Sequence, residues 1–475
     1  MNNSQILMKG KMLAICVGLL VAISACDNDN KKTTKTSAEK ILGIWEQPGY
    51  GNVFVVEGKQ TTEYEFTRAT CLNLGTETGR FGMTEKEVND ADISFSNNDS
   101  EFLITEKGGV FASRFKRLTK LPENCQSNLA KNTPIDTFEH FWNTFNDYYA
   151  FNTERGIDWS ERYAAVSGKI SNDMTGDELF AALSEIISPL DDGHTNIVSD
   201  NDEFHPVKIK GLVKFIEDTF QSQTEFSDID KFTSTLLNQY FTVLTTYLDG
   251  EMKIEKEMIW GITHESVGFL QINGMDGYTQ TDDPDLEEEV AAVKTLLDRV
   301  MTDLQDTPAM IIDLRFNGGG TDAVSLAIAG RFTDQRLKVM SKTARIFSGE
   351  TAPVEAYINP EGKTPYLKPV VIIAGPDTAS AAEIFLIAMS NLSSVTVIGE
   401  PSNGALSDIL DKELPNGWAF GLSNEVYLDQ SGKSFEVTGI IPQTEVVLFS
   451  VDDLENERNS VIEAALKMLG FSNSQ

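Results

Sequence analysis

Three short segments carry residue types that could do chemistry. In Thr378-Ala379-Ser380-Ala381-Ala382-Glu383 a serine follows the apolar run Pro369 to Ala374 and a tight loop, at the first turn of an expected helix. A helix N-terminus bears partial positive charge, so a hydroxyl there suits a nucleophile. The same letters read as an S-x-x-E capping box, which local pattern alone favours. In Leu190-Asp191-Asp192-Gly193-His194-Thr195 a histidine sits in a turn after a helix; the other three histidines are His140, His205 and His264. A neutral imidazole is a general base near pH 7, two adjacent aspartates make a metal site conceivable, and a solvated turn residue is the plainest reading. The third segment is Gly318-Gly319-Gly320-Thr321-Asp322-Ala323, between a strand and a helix.

That glycine segment satisfies G-x-G-x-x-A, the dinucleotide fingerprint. The fingerprint also demands an acidic residue at the end of the next strand, and Leu337-Lys338-Val339-Met340-Ser341-Lys342 offers none. No cofactor is expected. What remains is a set of unencumbered backbone N–H groups at a helix start, a ready cradle for an oxyanion. Nowhere do Cys and His fall at metal-ligand spacing, so no metal is expected either.

These segments must be positioned by a larger body. The chain has 475 residues, enough for roughly three domains. With 39 Lys+Arg against 72 Asp+Glu it carries a formal charge of −33, which opposes binding to a phosphate backbone and excludes nucleic acid as a partner. Lys9 and Lys11 precede the apolar run Met12 to Ile23, too short for the ~20 residues of a membrane span, so residues 1–25 read as an export signal. Residues 26–40 read as a polar tether. If the chain is exported, Cys71 and Cys125 become a possible disulfide, with two separate buried thiols as the alternative.

Residues 41–125 read as a small all-β domain, with short apolar runs such as Val53 to Val56 and Phe102 to Ile104 between Gly, Asn and Asp turns. Residues 133–200 read as a helical region carrying His194: Phe138, Phe141, Trp142, Phe145, Tyr148 and Tyr149 fall at helical spacing behind a possible capping box from Asp136 to Glu139. A second helix, Asp177 to Ile187, has Thr175 and Glu178 at its start. Residues 201–257 mix helix-like runs, such as Phe232 to Leu248, with acidic turns and read as a linking segment. From 258 to 450 strands alternate with helices, the pattern of an α/β domain with a mixed sheet. In it, Trp418 to Tyr427 and Ser434 to Val437 read as a hairpin around the turn Asp429 to Lys433, and residues 451–475 hold a closing helix, Leu454 to Leu469.

Taken together, Asp313 to Gly320, Thr378 to Glu383, Gly399-Glu400-Pro401-Ser402-Asn403-Gly404 and Gly439-Ile440-Ile441-Pro442 resemble, in order, the motifs of the C-terminal processing (tail-specific) protease superfamily of serine peptidases. The stretch from Asp158-Trp159 to Thr195 is similar to the region preceding the core in its tricorn-core branch. The resemblance implies a ClpP/crotonase-like α/β core. The processing branch proper places a Lys base twenty-five residues after the nucleophile, where this chain has Ala405, and Gln443 stands where the family commonly has Asp. The tricorn-like branch uses a His and a Glu, at places held here by His194 and Glu436. The resemblance thus implies Ser380 as nucleophile, His194 as general base, Glu436 as its orienting carboxylate, and backbone N–H groups of Ala381 and of Gly318 or Gly319 as the oxyanion hole. Ile23-Ser24-Ala25-Cys26 also looks like a bacterial lipobox, implying a lipid on Cys26 and an exported, membrane-anchored lipoprotein facing the periplasm or the cell exterior. No module that would recognise free polypeptide tails precedes the core.

The function expected is hydrolysis of peptides or unfolded polypeptide, as an endopeptidase or carboxypeptidase-like enzyme. The alternative is a binding protein that uses a peptidase-like scaffold without catalysis.

Overall fold

A computed structural model describes residues 36–471 except 80, 82–84 and 282–283. The signal, the lipidation site Cys26 and most of the tether lie outside the described residues. Residues Ser37–Lys40 form one helical turn in a first unit, and Ile41–Gln475 form a second, compact unit.

The second unit begins with a seven-stranded antiparallel sheet over residues 43–118, in which Gly43–Gln47 pairs with both Asn52–Glu57 and Ser113–Leu118. Its inward side chains, among them Trp45, Phe54, Phe102 and Phe115, make a small aromatic core of their own. Cys71 and Cys125 are joined by a disulfide that ties the sheet to the segment leading into the helical region.

The C-terminal half is built on a second seven-stranded sheet. Lys253–Glu255, Met258–Ile262 and Gly268–Ile272 pair antiparallel in succession, and from Gly268–Ile272 the pairing is parallel through Met310–Asp313, Val370–Ala374 and Val395–Gly399 to Thr444–Glu445. Helices cover both faces, so central strands such as Val370–Ala374 are buried end to end and apolar throughout. Open α/β sheets bind their ligands beyond the carboxyl ends of parallel strands. Here Asp313 pairs with Ile373, so the loops that follow these neighbouring strands, Asn317 to Gly320 and Gly375 to Ser380, emerge side by side.

The aromatic stripe of helix Pro134–Tyr148 is core: Phe138, Phe141, Phe145 and Tyr148 are buried, and Phe141 and Phe145 pack against Phe420 of the C-terminal half. This helix is capped by Thr133, whose hydroxyl accepts from Asp136 N–H, rather than by a box from Asp136 to Glu139. Thr175 and Glu178 do form a capping box on Gly176–Ile187. The strand Asn196–Val198, just past His194, pairs with Ala419–Ser423. The helical region is therefore stitched to the C-terminal half by main-chain hydrogen bonds as well as by side chains.

Three sequence expectations need correction. Residues 201–257 contain two well-formed helices, Gly211–Ser222 and Ile229–Thr245. The hairpin partner of Ala419–Ser423 is Ile409–Glu413, whereas Glu425–Asp429 leaves to pair with Leu337–Ile346 and residues 434–437 form no strand. The closing helix is two pieces, Val451–Glu455 and Ser460–Met468, because Asn459 caps a fresh start. No described helix is long and apolar enough to cross a membrane.

Candidate active site

Ser380 stands immediately before helix Ala381–Ser390 with φ 53° and ψ −127°, a backbone conformation that L residues other than glycine rarely adopt. Such strain is held only where the surroundings over-determine it, and functional sites are where it clusters. The surroundings here are specific. Ser380 N–H donates to Ala405 O (2.9 Å) and to Glu383 Oε2 (3.2 Å). Glu383 is fully buried and also accepts from Ser402 Oγ (2.6 Å), Gly404 N–H (2.8 Å) and Ala405 N–H (2.9 Å). Burial pushes its carboxyl up to about 7 against the pull of those donors. The sequence showed Glu383 only as a helix cap, but it is the pin that fixes the nucleophile turn to the return loop 402–405.

Gly319 lies against Ser380: a Cβ there would sit 2.7 Å from Ser380 Cβ and 3.2 Å from Ala381 N, and its φ of +112° suits glycine alone. A side chain at 319 would therefore fill the space in front of the Ala381 N–H. Gly319 N–H itself donates to Asn317 Oδ1 (2.9 Å), while Gly318 is exposed with open space at its Cβ position.

Segment 404–407 gathers the other two expected residues. Glu436, whose side chain is 2% exposed, accepts from Leu406 N–H (2.8 Å) and Ser407 N–H (3.0 Å) through Oε2. The His194 ring bonds to the Ser407 backbone, and Gly193 faces the Ala405 methyl. Ser380, His194 and Glu436 therefore all meet one loop, although they come from three distant parts of the chain. Two buried side-chain atoms at this loop, His194 Nδ1 and Glu436 Oε1, have no hydrogen-bond partner among the described residues.

Arg155 gave no signal in the sequence, yet it orders this region. Its guanidinium donates to the carbonyls of Leu190 and Asp191 and lies 3.5 Å from Asp192 Oδ2 and 3.6 Å from Glu436 Oε1. It therefore ties the His194 turn to Glu436. Asp192 also accepts from Tyr149 Oη (2.7 Å), Ser423 Oγ (3.1 Å) and His194 N–H (2.9 Å). Asp191 turns the other way, accepting from Lys208 N–H and Nζ. The two aspartates are engaged apart from each other, and among the described residues no group of acidic, His or Cys side chains is arranged to hold a metal.

Burial holds the His194 imidazole below its ordinary value of 6.5, opposed by the charges of Asp192 and Asp408. Burial, and after it the charge of Asp192, holds the Glu436 carboxyl well above the usual range, against the pull of the Leu406 N–H and of Arg155. A strained serine at a helix start, a neutral buried imidazole, a carboxylate and free N–H groups beside a glycine loop define the class: the core of a serine-type peptidase.

Comparison with known proteins points to the same class. Residues 266–446 match the model of Peptidase family S41, and residues 134–188 match that of the Tricorn protease C1 domain. Over these two stretches the chain is similar to those families. Over 138 residues it is 31% identical to the carboxy-terminal processing protease CtpA of Bacillus subtilis (strain 168), a match covering 29% of this chain and 28% of that relative's length. A solved structure from Parabacteroides merdae ATCC 43184, described as a candidate peptidase, is 26% identical with a TM-score of 0.58, covering 71% of this chain and 96% of that one. Mature CPAF, solved with lactacystin, shares the fold at 12% identity and a TM-score of 0.50, covering 71% and 97%.

Two outcomes follow from this geometry. Glu383→Ala strips the acceptor from three backbone N–H groups and one hydroxyl, so urea unfolding monitored by fluorescence is expected to show a loss of at least about 3 kcal/mol; an unchanged midpoint would remove Glu383 as the pin. Because His194 is held below 6.5, it is a neutral base throughout the neutral range and protonates only as pH falls beneath that value. The acid limb of kcat/KM for peptide hydrolysis is therefore expected below pH 6.5, and a limb above pH 7 would contradict a buried His194 base.

Proposed function

We propose that this protein is an exported, lipid-anchored serine peptidase that hydrolyses peptide bonds in peptides or unfolded polypeptide. The observation that carries the reading is the strained Ser380 at the start of a buried helix, with Gly319 packed on its Cβ. Ser380 Oγ attacks the scissile carbonyl carbon while one ring nitrogen of His194 takes its proton. The C=O electron pair moves to oxygen, where Ala381 N–H and Gly318 N–H stabilise the charge, an effect for which each donor is typically worth about 3 to 4 kcal/mol. His194 then passes the proton to the departing amine as the C–N bond breaks, leaving an acyl ester on Ser380. Water, deprotonated by His194, attacks that ester and releases the acid and the free hydroxyl. Glu436 orients the ring and offsets its positive charge, and Arg155 positions both.

The family supports this reading, since its members are named for proteolysis, and the absence of a Lys where Ala405 stands favours His194 over a Ser–Lys dyad. A tether ending in a lipid on Cys26 would hold the enzyme at a membrane surface, where it meets exported or unfolded chains. Glu383, Asn317 and Gly319 serve the architecture of the site and touch no reacting atom.

Mass spectrometry of a diverse peptide pool incubated with the protein, beside its Ser380→Ala variant, tests the proposal. Cleavage is expected with the native chain and is expected to fall at least a thousandfold in the variant. Equal cleavage in both would dismiss Ser380, and intact peptides in both would favour a binding protein on a peptidase-like scaffold.

A further inference from the structure

A cavity of about 490 Å³ opens between the β domain and the C-terminal half, reaching the glycine loop at Gly320. Its floor includes Gly320, Thr321 and Asp322, which continue directly from the Gly319 that packs on Ser380, together with Lys342 and Asp408. Its roof includes Glu106, Val110 and Phe111 of the β domain. Roof and floor are packed together: the Phe111 ring meets Tyr427 edge-on at 5.7 Å, and Lys342 Nζ lies 4.5 Å over the same ring. Asp408 acts electrostatically on His194, so the cavity and the catalytic base share one neighbourhood.

The charges in this cavity do not balance. The Lys342 ammonium has three hydrogens, and they go to Asp408 Oδ2 (2.9 Å), Glu425 Oε2 (2.8 Å) and Tyr427 Oη (3.2 Å). Tyr427 in turn gives its own hydrogen to Asp322 Oδ2 (2.8 Å), so Asp322 receives a phenol and no cation. Burial and the nearby charge of Asp408 push the Asp322 carboxyl up to about 7. The Asp408 side chain is 53% exposed, and Glu106 adds a further carboxylate to the lining. One spent ammonium thus serves Asp408 and Glu425 and leaves Asp322 without a cation, in a chamber with an aromatic wall, one residue along the loop from Gly319, which packs on Ser380.

We propose that this cavity is the specificity subsite of the peptidase and takes a Lys or Arg side chain of the polypeptide beside the scissile bond, its stem along Val110 and Phe111 and its cation on Asp322 and Asp408. The inference rests on the peptidase reading and adds the substrate's chemistry to it. It also gives the β domain a role: that domain supplies the wall along which the substrate side chain lies.

The test uses purified protein and a peptide pool that varies the residues on both sides of each bond, read by mass spectrometry. Cuts are expected next to Lys or Arg, and acetylating the Lys of a cleaved peptide is expected to lower kcat/KM at least tenfold. This substrate-side comparison needs no variant to fold. Asp322→Asn is expected to lower kcat/KM at least tenfold for peptides with Lys, and by less for their norleucine counterparts. Phe111→Ala is expected to lower both. Efficient cleavage with no preference for basic residues, or a preference that survives both acetylation and Asp322→Asn, would overturn the subsite while leaving the peptidase reading intact. No cleavage of any peptide by the native chain would overturn both.

Discussion

The site depends on one buried carboxylate. Glu383 gathers four donors from two segments, the turn at Ser380 and the return at 402–405, and closes them onto one point. Without it, the N–H groups of Gly404 and Ala405 would lack acceptors in a dry interior, and Ser380 at φ 53° would lose one of the two acceptors of its N–H. Once the return loop is pinned, its next residues are fixed too, and Leu406 and Ser407 present their N–H groups to Glu436. The nucleophile and the orienting carboxylate are therefore coupled through a few residues of backbone.

The base reaches this frame by a different route. His194 leaves a helix that packs its apolar face against Phe420 and Leu422, and the strand after it adds to the edge of Ala419–Ser423. Arg155 then ties the turn to Glu436 across the gap. Sheet pairing sets position to within a residue, since a slip of one would turn every side chain to the other face. The charged strap sets the final orientation. On the other side of Ala419–Ser423 lies Ile409–Glu413, which follows Asp408, and the charge of Asp408 acts on His194.

Much of this was legible from residue types. The buried strand before Ser380, the glycine loop after Met310 to Phe316 and the break from alternating β runs to helical spacing near Pro134 each follow from a local rule, and each is present. What escaped was non-local. Arg155 is an unremarkable letter whose partners come from 35 to 281 residues away, and Glu383 satisfies a capping rule so well that its contacts with the loop at 402–405 left no trace. The helix at 211–222 was hidden because its short apolar stripe finds its partners, among them Phe232, Phe449 and Leu454, only in the folded chain. The hairpin near 418–437 was misread because two strands in succession, both alternating, join different sheets. The bond between Cys71 and Cys125 was one of two open readings until their Cα atoms were seen 5.2 Å apart.

The central claim is that Ser380 carries the acyl group. It is tested most directly by mixing the protein with an activated peptide ester, quenching in acid within the first turnovers, and mapping the added mass by peptide sequencing. The account predicts one acyl group per chain, on the peptide that contains Ser380. An acyl group on any other residue, or turnover with no covalent species at all, would contradict it.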